Sequence, residues 1–229
     1  MYSHRESSDT DGGREALWMG PDTFDWDFLV KDGYQRRYVA GSVIYREEDH
    51  GECIHYLMEG LVKISMAAPD GTDKILAIHQ PGTLFGESAV LDHGCYFATA
   101  TAIEDALVCL IPSDKLVNLI RQHPEVSFQM MSNLVQRIRL LAMQVGFLTF
   151  LSVPQRLARM ICGLAESFGT PVDEGVLITV RLRHHELAEL VSASRVTVTN
   201  TLNEFRRQGL IGTQDGRILV IDHDELMEV

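Results

Sequence analysis

The hydrophobic rhythm of the chain changes twice, and the changes mark its parts. From Tyr38 to about Ile111, short apolar runs recur at Ser42–Tyr45, Cys53–Met58, Leu61–Met66, Lys74–His79, Phe97–Ala102 and Ala106–Ile111. A spacing of about 8 to 12 residues between such runs predicts a sandwich or barrel of antiparallel strands. Glu59-Gly60 and Pro69-Asp-Gly71 supply the turn chemistry between them. Within Leu61–Met66, strand alternation puts Leu61, Lys63 and Ser65 on one face and Val62, Ile64 and Met66 on the other.

After Pro112 the period becomes helical. Ser113 is the expected N-cap of a short helix to Gln122. A second helix is predicted from Pro124 to Leu151, about 28 residues and roughly 40 Å long. Its row Val126, Met130, Leu134, Ile138, Leu141, Val145 and Leu148 is close to a heptad seam and is expected to face a second subunit. Phe128, Met131, Val135, Leu140 and Phe147 form a second row, expected to pack on the strands. The alternative is a helix wholly committed to the core of its own domain.

Pro154 lacks a donor and clashes with a preceding turn, so Ser152-Val-Pro154 ends the long helix and marks a boundary. Beyond it the pattern predicts a helix Gln155–Phe168 capped by Gly169, a polar turn Thr170–Gly175, and a strand Val176–Val180. His184–Ile211 then reads as two short helices joined by the tight turn Ser192-Ala-Ser194, a helix-turn-helix. Arg217–Ile221, after the turn Asp215-Gly216, completes a wing. Leu187, Leu190 and Val191 are the apolar face of the first helix, and Ala188 lets the second cross closely. Val198, Leu202 and Phe205 hold the second helix down.

In this motif the N-terminal end of the second helix enters the major groove. Ser194 is the expected cap of that end. Arg195 is the candidate for a bidentate guanine contact, Asn200 for adenine or a phosphate, and Val196 for a thymine methyl. Thr197, Thr199 and Arg206 are candidates for phosphates, and His184-His185 for phosphate contact or capping.

A formal net charge of −12 opposes DNA binding, but it is uneven. Residues 1–153 hold 12 Lys/Arg against 21 Asp/Glu, whereas Arg181–Arg217 holds six Arg and four acids. A locally basic patch anchors phosphates while the acidic bulk repels DNA from other faces. Four scattered cysteines, without a Cys-x-x-Cys pair, are expected as reduced thiols. No apolar run reaches the roughly 18 residues of a membrane span, so a cytoplasmic chain without a membrane partner is expected. No nucleophile–base pair, phosphate-cradling loop or metal-ligand set is visible; no catalytic or metal residue is assigned, and an enzyme is not expected. The expected organisation is a disordered leader 1–20, a sensory β-domain 21–123, a dimerisation helix 124–152 and a winged helix-turn-helix 153–229, an α+β chain.

Four segments carry a family resemblance: Tyr56–Ile64 (YLMEGLVKI), Pro81–Glu87 (PGTLFGE), Val145–Leu151 (VGFLTFL) and Ser194–Val198 (SRVTV). Together with the order of elements they resemble the Crp/Fnr superfamily, typified by the cyclic AMP receptor protein, from about residue 24 to 225. The resemblance implies a cupin-like β-roll sensor, a homodimer through the long helix, a palindromic double-stranded DNA operator, RNA polymerase as a partner, and allosteric control by a small effector. Cyclic-nucleotide-binding members follow their Gly-Glu pair with an Arg-Ser pair for the cyclic phosphate. Here Gly86-Glu87 is kept, but the Arg-Ser positions fall on Tyr96-Phe97, and the Thr-Ser pair that meets the adenine falls on Leu141-Ala142. A buried phosphate without a cation is costly, so a non-cyclic-nucleotide branch and a small apolar or aromatic effector are expected. Its expected contacts are Phe85, Gly86, Glu87, Tyr96, Phe97, Leu141 and Val145. Tyr96–Ala100 is similar to the pocket segment of members that sense halogenated aromatics.

The leader lacks the cysteine cluster of iron-sulfur members. A haem-based gas or redox sensor is the alternative, with His50, His55, His79, His93 and Cys95 as ligand types, although Gly86 and Ser88 occupy the positions of the carbon-monoxide sensors' ligand pair. A rival of another class is a structural dimerisation protein that no longer binds DNA. Cyclic-AMP-type members read their operator with Arg, Glu and Arg where this chain has Arg195, Val196 and Asn200. The resemblance therefore implies that the guanine contact is kept and the Glu-read base pair is changed.

Overall fold

The computed structural model describes residues 26, 30–31, 33–69 and 71–229. The expected leader and Asp70 of the Pro69–Gly71 reversal lie outside the described residues. The N-terminal part consists of β1 (Tyr34–Tyr38), β2 (Val43–Tyr45), β3 (Cys53–Glu59), β4 (Val62–Ala67), β5 (Asp73–His79), β6 (Leu84–Phe85), α1 (Glu87–Leu91), β7 (Thr99–Ala102) and β8 (Ala106–Pro112). Two antiparallel sheets, ordered β1-β8-β3-β6 and β2-β7-β4-β5, enclose a core that includes Leu57, Val62, Ile64, Phe85, Ala100 and Val108.

Strands β1 and β6 and helix α1 were not expected from the pattern. Among the described residues strand β1 pairs only with β8, and it buries one residue of five, Tyr38, so it has no alternation to read; Arg36 and Arg37 blunt this edge against further pairing. Strand β6 is two buried residues long. The alternation expected for Leu61–Met66 fails after Ile64, where the β4–β5 register shifts. Ile64 pairs with Ala77 and Ser65 with Ile75, so Leu76 bulges out of the ladder. Ser65 is consequently buried and Met66 exposed, and the Leu76 carbonyl accepts a hydrogen bond from Gln144 Nε2 at 3.0 Å.

Helix α2 (Ser113–Gln122) starts where expected, but the Ser113 side chain makes no cap bond; Pro112 holds the N-cap position. Helix α3 (Pro124–Phe150) is continuous for 27 residues. Its faces correct the expected rows. Val126 and Met130 are buried in the protomer's own core with Trp26, Ile54 and Leu116, so Met130 does not reach a partner. Phe128, Met131 and Val135, expected on the strands, are exposed together with Ile138, Leu141, Val145 and Leu148. The side facing the sheets instead carries Asn133, Arg137, Leu140, Gln144 and Phe147. The reason is that the inward face is partly polar, so an apolar count alone misplaces it.

Helix α4 (Val153–Phe168) begins at a capping box. The Gln155 amide donates to Ser152 Oγ at 3.4 Å, and the Ser152 amide donates to Gln155 Oε1 at 3.0 Å. Gly169 does not end it in a left-handed turn: its φ is −88°, and it opens β9 (Gly169–Val172). A Cβ there would lie 2.0 Å from the Ala165 carbonyl oxygen, so glycine is required by close approach. The segment expected as a polar turn is thus a hairpin of β9 and β10 (Gly175–Ile178). Helices α5 (His184–Val191) and α6 (Arg195–Arg207), the hairpin β11 (Ile211–Gln214) and β12 (Arg217–Val220), and α7 (His223–Met227) follow. Asp215 and Gly216 turn that hairpin with φ of 50° and 74°, the left-handed pair a two-residue turn demands. The sheet order is β11-β12-β10-β9.

The two parts share a core. Leu61, Ile75 and Ile78 belong to the same buried cluster as Leu157, Ile161, Leu187 and Leu190. Lys63 Nζ meets Glu189 Oε2 at 3.4 Å, and Lys74 Nζ donates to the Leu190 carbonyl at 2.5 Å.

Removing the capping box with Ser152→Ala is expected to cost about 1 kcal/mol in urea unfolding. Ser113→Ala removes no cap bond and is expected to stay within about 0.5 kcal/mol of the parent. Equal losses would contradict the assignment.

Candidate effector cavity and DNA interface

The bulge at Leu76, the β6–α1 corner and the middle of α3 enclose a cavity of about 110 Å³. Phe85, Gly86, Glu87, Tyr96, Phe97 and Leu141 line it, as expected for an effector site. Val145 does not line it; it is 63% exposed, one turn further along the outward face of α3. Pattern reading named His79 only as a haem-ligand type and missed Tyr45, Arg137 and Gln144, which also stand in the wall. Their signal is weak in a single sequence because the three come from elements assigned only to packing.

Rings cluster in this wall, with His55 behind it. Tyr45 stacks on Tyr96 with centroids 3.8 Å apart, His55 lies 5.0 Å from Tyr45 and 5.1 Å from Phe85, and His79 lies 5.7 Å from Phe85. The Tyr96 hydroxyl donates to the Cys53 carbonyl at 2.7 Å. Gly86 has φ 76°, and a Cβ there would be 3.0 Å from both His55 Nδ1 and Tyr96 Cε1, so the corner needs glycine twice over. Burial raises the Tyr45 phenol well above its ordinary range and Tyr96 to about 12, and it lowers His55 to about 4 and His79 to about 3. All four rings are therefore neutral at pH 7.

The polar end is an ion pair. Arg137 Nη1 donates to Glu87 Oε1 at 2.5 Å and Nη2 donates to the Leu84 carbonyl. No cation stands at Tyr96-Phe97, but α3 brings one to the wall from elsewhere, which corrects the expected cation-free lining. Its charge is already matched by Glu87. Glu87 Oε2 and Arg137 Nε are buried without a hydrogen-bond partner among the described residues.

The haem-ligand types do not converge. His79 reaches the cavity, His55 is enclosed by rings, and His50 sits 3.9 Å from Cys95 Sγ on the exposed β2–β3 and α1–β7 connections. Among the described residues no three His, Cys, Asp or Glu are grouped to hold a metal ion.

In the helix-turn-helix, Ser192 takes the left-handed conformation that turns the chain, and Ser194 Oγ accepts from the Thr197 amide at 3.0 Å. Val198, Leu202 and Phe205 are sealed beneath α6. Arg195, Val196, Thr197 and Asn200 are exposed together at its N-terminal end, with Val196 at 69%. Thr199 and Arg206 stand apart from them. The Thr199 hydroxyl donates to the Arg195 carbonyl at 2.9 Å and lies 3.0 Å from His184 Nδ1. Arg206 is held by Thr213 Oγ1 in the wing at 3.3 Å and by Asn203 Oδ1 at 3.0 Å.

A two-sheet domain joined by a long helix to a winged helix-turn-helix defines a DNA-binding regulator, and the comparisons agree. Residues 35–123 match the family model of the cyclic nucleotide-binding domain, and residues 155–229 match that of the Crp-like helix-turn-helix domain. The chain is 33% identical to the CRP-like cAMP-activated global transcriptional regulator of Mycobacterium tuberculosis, across 93% of this chain and 95% of that one. It is 29% identical to the cyclic AMP receptor protein of Thermus thermophilus, across 92% and 94%. The solved structure of a c-di-GMP-responsive global regulator from Xanthomonas campestris superposes with a TM-score of 0.76 at 20% identity, covering 85% of this chain and 96% of that one, and shows the shared fold. The chain belongs to the Crp/Fnr superfamily of DNA-binding transcription regulators. No helix among the described residues is long and apolar enough to cross a membrane.

Truncating one partner of a buried ion pair strands the other, so Arg137→Met and Glu87→Met are each expected to destabilise by about 3 kcal/mol, with most of the loss recovered in the double variant Arg137→Met/Glu87→Met. Urea unfolding of the four variants of this cycle reads the coupling, and additive losses would contradict it. The histidines give a pH dependence. Their folded values lie below the ordinary 6.5, so the unfolded chain binds the extra protons; their contribution is full above pH 6.5 and lost as pH falls toward 4. Between pH 7 and pH 5 each costs about 2 kcal/mol. His79→Leu is expected to lose less stability over that interval than the parent; an equal loss would show that His79 protonates freely in the folded state.

Proposed function

We propose that the chain works as a homodimer on a palindromic operator and is switched by a small, uncharged, aromatic molecule in the β-roll cavity. The observation that carries this reading is the outward stripe of α3. Phe128, Met131, Val135, Ile138 and Val145 repeat at alternating spacings of three and four with one small residue, Ala142, in register, and all five are exposed. A stripe of this kind is a coiled-coil seam in want of a second helix. Leu134, Leu141 and Leu148 flank it. Leu141 also lines the cavity, so an occupant there touches the seam directly.

The size and lining support the effector class. A cavity of about 110 Å³ is near the roughly 150 Å³ that accepts a benzene ring. Its rings are neutral and its one cation is paired with Glu87, so a hydroxyl or similar group meets a matched ion pair at the polar end. The activation of the mycobacterial relative by cyclic AMP makes that nucleotide the second reading. It conflicts with Tyr96-Phe97 at the cyclic phosphate position and with the cavity volume. Output follows the family: Ser194 caps α6, Arg195, Val196, Thr197 and Asn200 meet DNA, Thr199 and Arg206 support the phosphate side, and the bound dimer acts on RNA polymerase.

Thermal-shift titration of the whole protein with phenolic compounds and with cyclic AMP tests the effector class. A phenolic ligand raising the melting temperature in the parent but not in a Leu141→Trp variant supports it; stabilisation by micromolar cyclic AMP refutes it. Ile138→Glu is expected to yield a folded monomer by sedimentation that no longer shifts operator DNA. Arg195→Ala is expected to weaken operator binding by about 1–3 kcal/mol while leaving the dimer intact.

A further inference from the structure

A second space lies between the β-roll and the winged helix and shares no lining residue with the cavity described above. Its volume is about 810 Å³, within the range of small-molecule clefts. On one side stand Lys63 and the Thr101–Glu104 corner of the β-roll; on the other stand Arg181, Arg183, His184, Arg206 and Arg217.

In a chain with a net charge of −12 this convergence needs an explanation. Among the described residues none of the four arginines makes an ion pair. Arg206 has only neutral partners, and Arg217 Nε is buried with none. Two acids also line the cleft. One oxygen of Glu186 already accepts the Arg183 amide at 2.8 Å, and Glu104 stands on the opposite wall. His184 responds to the excess: burial and the charges of Arg206 and Arg195 hold it below the usual imidazole range.

Unpaired guanidiniums in a concave, partly dry space are built for planar, bidentate contact with phosphate oxygens. We infer that this cleft is a ligand site for a small phosphate-bearing anion of up to nucleotide size. Such an anion is held by the arginines of the winged helix beside Lys63, whose ammonium it shares with Glu189, and its binding free energy favours the arrangement of the two parts seen here.

Isothermal titration calorimetry of the full chain with inorganic pyrophosphate and with ADP tests the inference and separates a bare phosphate site from a nucleotide site. Saturable binding of either, at one per chain, is expected. It should weaken at least about tenfold in Arg181→Gln/Arg217→Gln and in Arg183→Gln, and should be unchanged in Arg121→Gln on the distant, exposed α2. The inference is overturned if neither compound gives saturable heat below millimolar concentration, or if the cleft variants bind as the parent does. It is overturned equally if Arg121→Gln weakens binding as much as they do.

Discussion

Strand β5 is gripped from two sides, and the relation between sensor and DNA-reading parts depends on that grip. Ile75 and Ile78 are 1% and 2% exposed within the cluster built by α4, α5 and α6. Burial of such side chains stabilises by about 1.5–3 kcal/mol each, so separating the parts costs several kcal/mol before any polar contact is counted. Lys74 adds a cation at the C-terminal carbonyls of α5, where a helix favours positive charge. Burial, with the nearby Arg156 charge, lowers that ammonium to about 8, so the contact is bought partly with desolvation. Arg156 caps the same end through the Val191 and Ser192 carbonyls.

Strand β5 also borders the candidate effector cavity. Leu76 and His79 line it, and the bulge that frees Leu76 from the ladder also presents its carbonyl to Gln144 of α3. One strand therefore touches the cavity, the long helix and the first helix of the DNA-binding motif. In the proposed dimer a change in cavity occupancy reaches both the seam of α3 and the seat of α5 without a long relay. The Arg137–Glu87 pair ties α3 to the α1 corner at the polar end of the same cavity.

Much of this was legible in the sequence where pattern and burial coincide. The helix-turn-helix was readable because Leu187, Val198, Leu202 and Phe205 bury at helical spacing and Ser194 caps as its chemistry dictates. Strand β1 was not, since an exposed edge strand carries no apolar alternation. The faces of α3 were misassigned because Asn133, Arg137 and Gln144 occupy its inward side, and single-sequence periodicity counts polar residues as outward. The ring-lined cavity was recognised from Phe85, Tyr96 and Phe97, but Arg137 was not, since 50 residues separate it from Glu87. Gly169 was read as a helix cap, whereas the space beside Ala165 and Val176 is what requires it.

In-vitro selection of binding sites from random duplex DNA, with the full chain, tests the central claim most directly. Two recognition helices related by a two-fold axis read half-sites about one helical turn, or 34–36 Å, apart. The account predicts an inverted repeat at that spacing, with one invariant guanine per half-site that is lost when Arg195 is replaced. Enrichment of a single unrepeated half-site, or no enrichment at all, would contradict it.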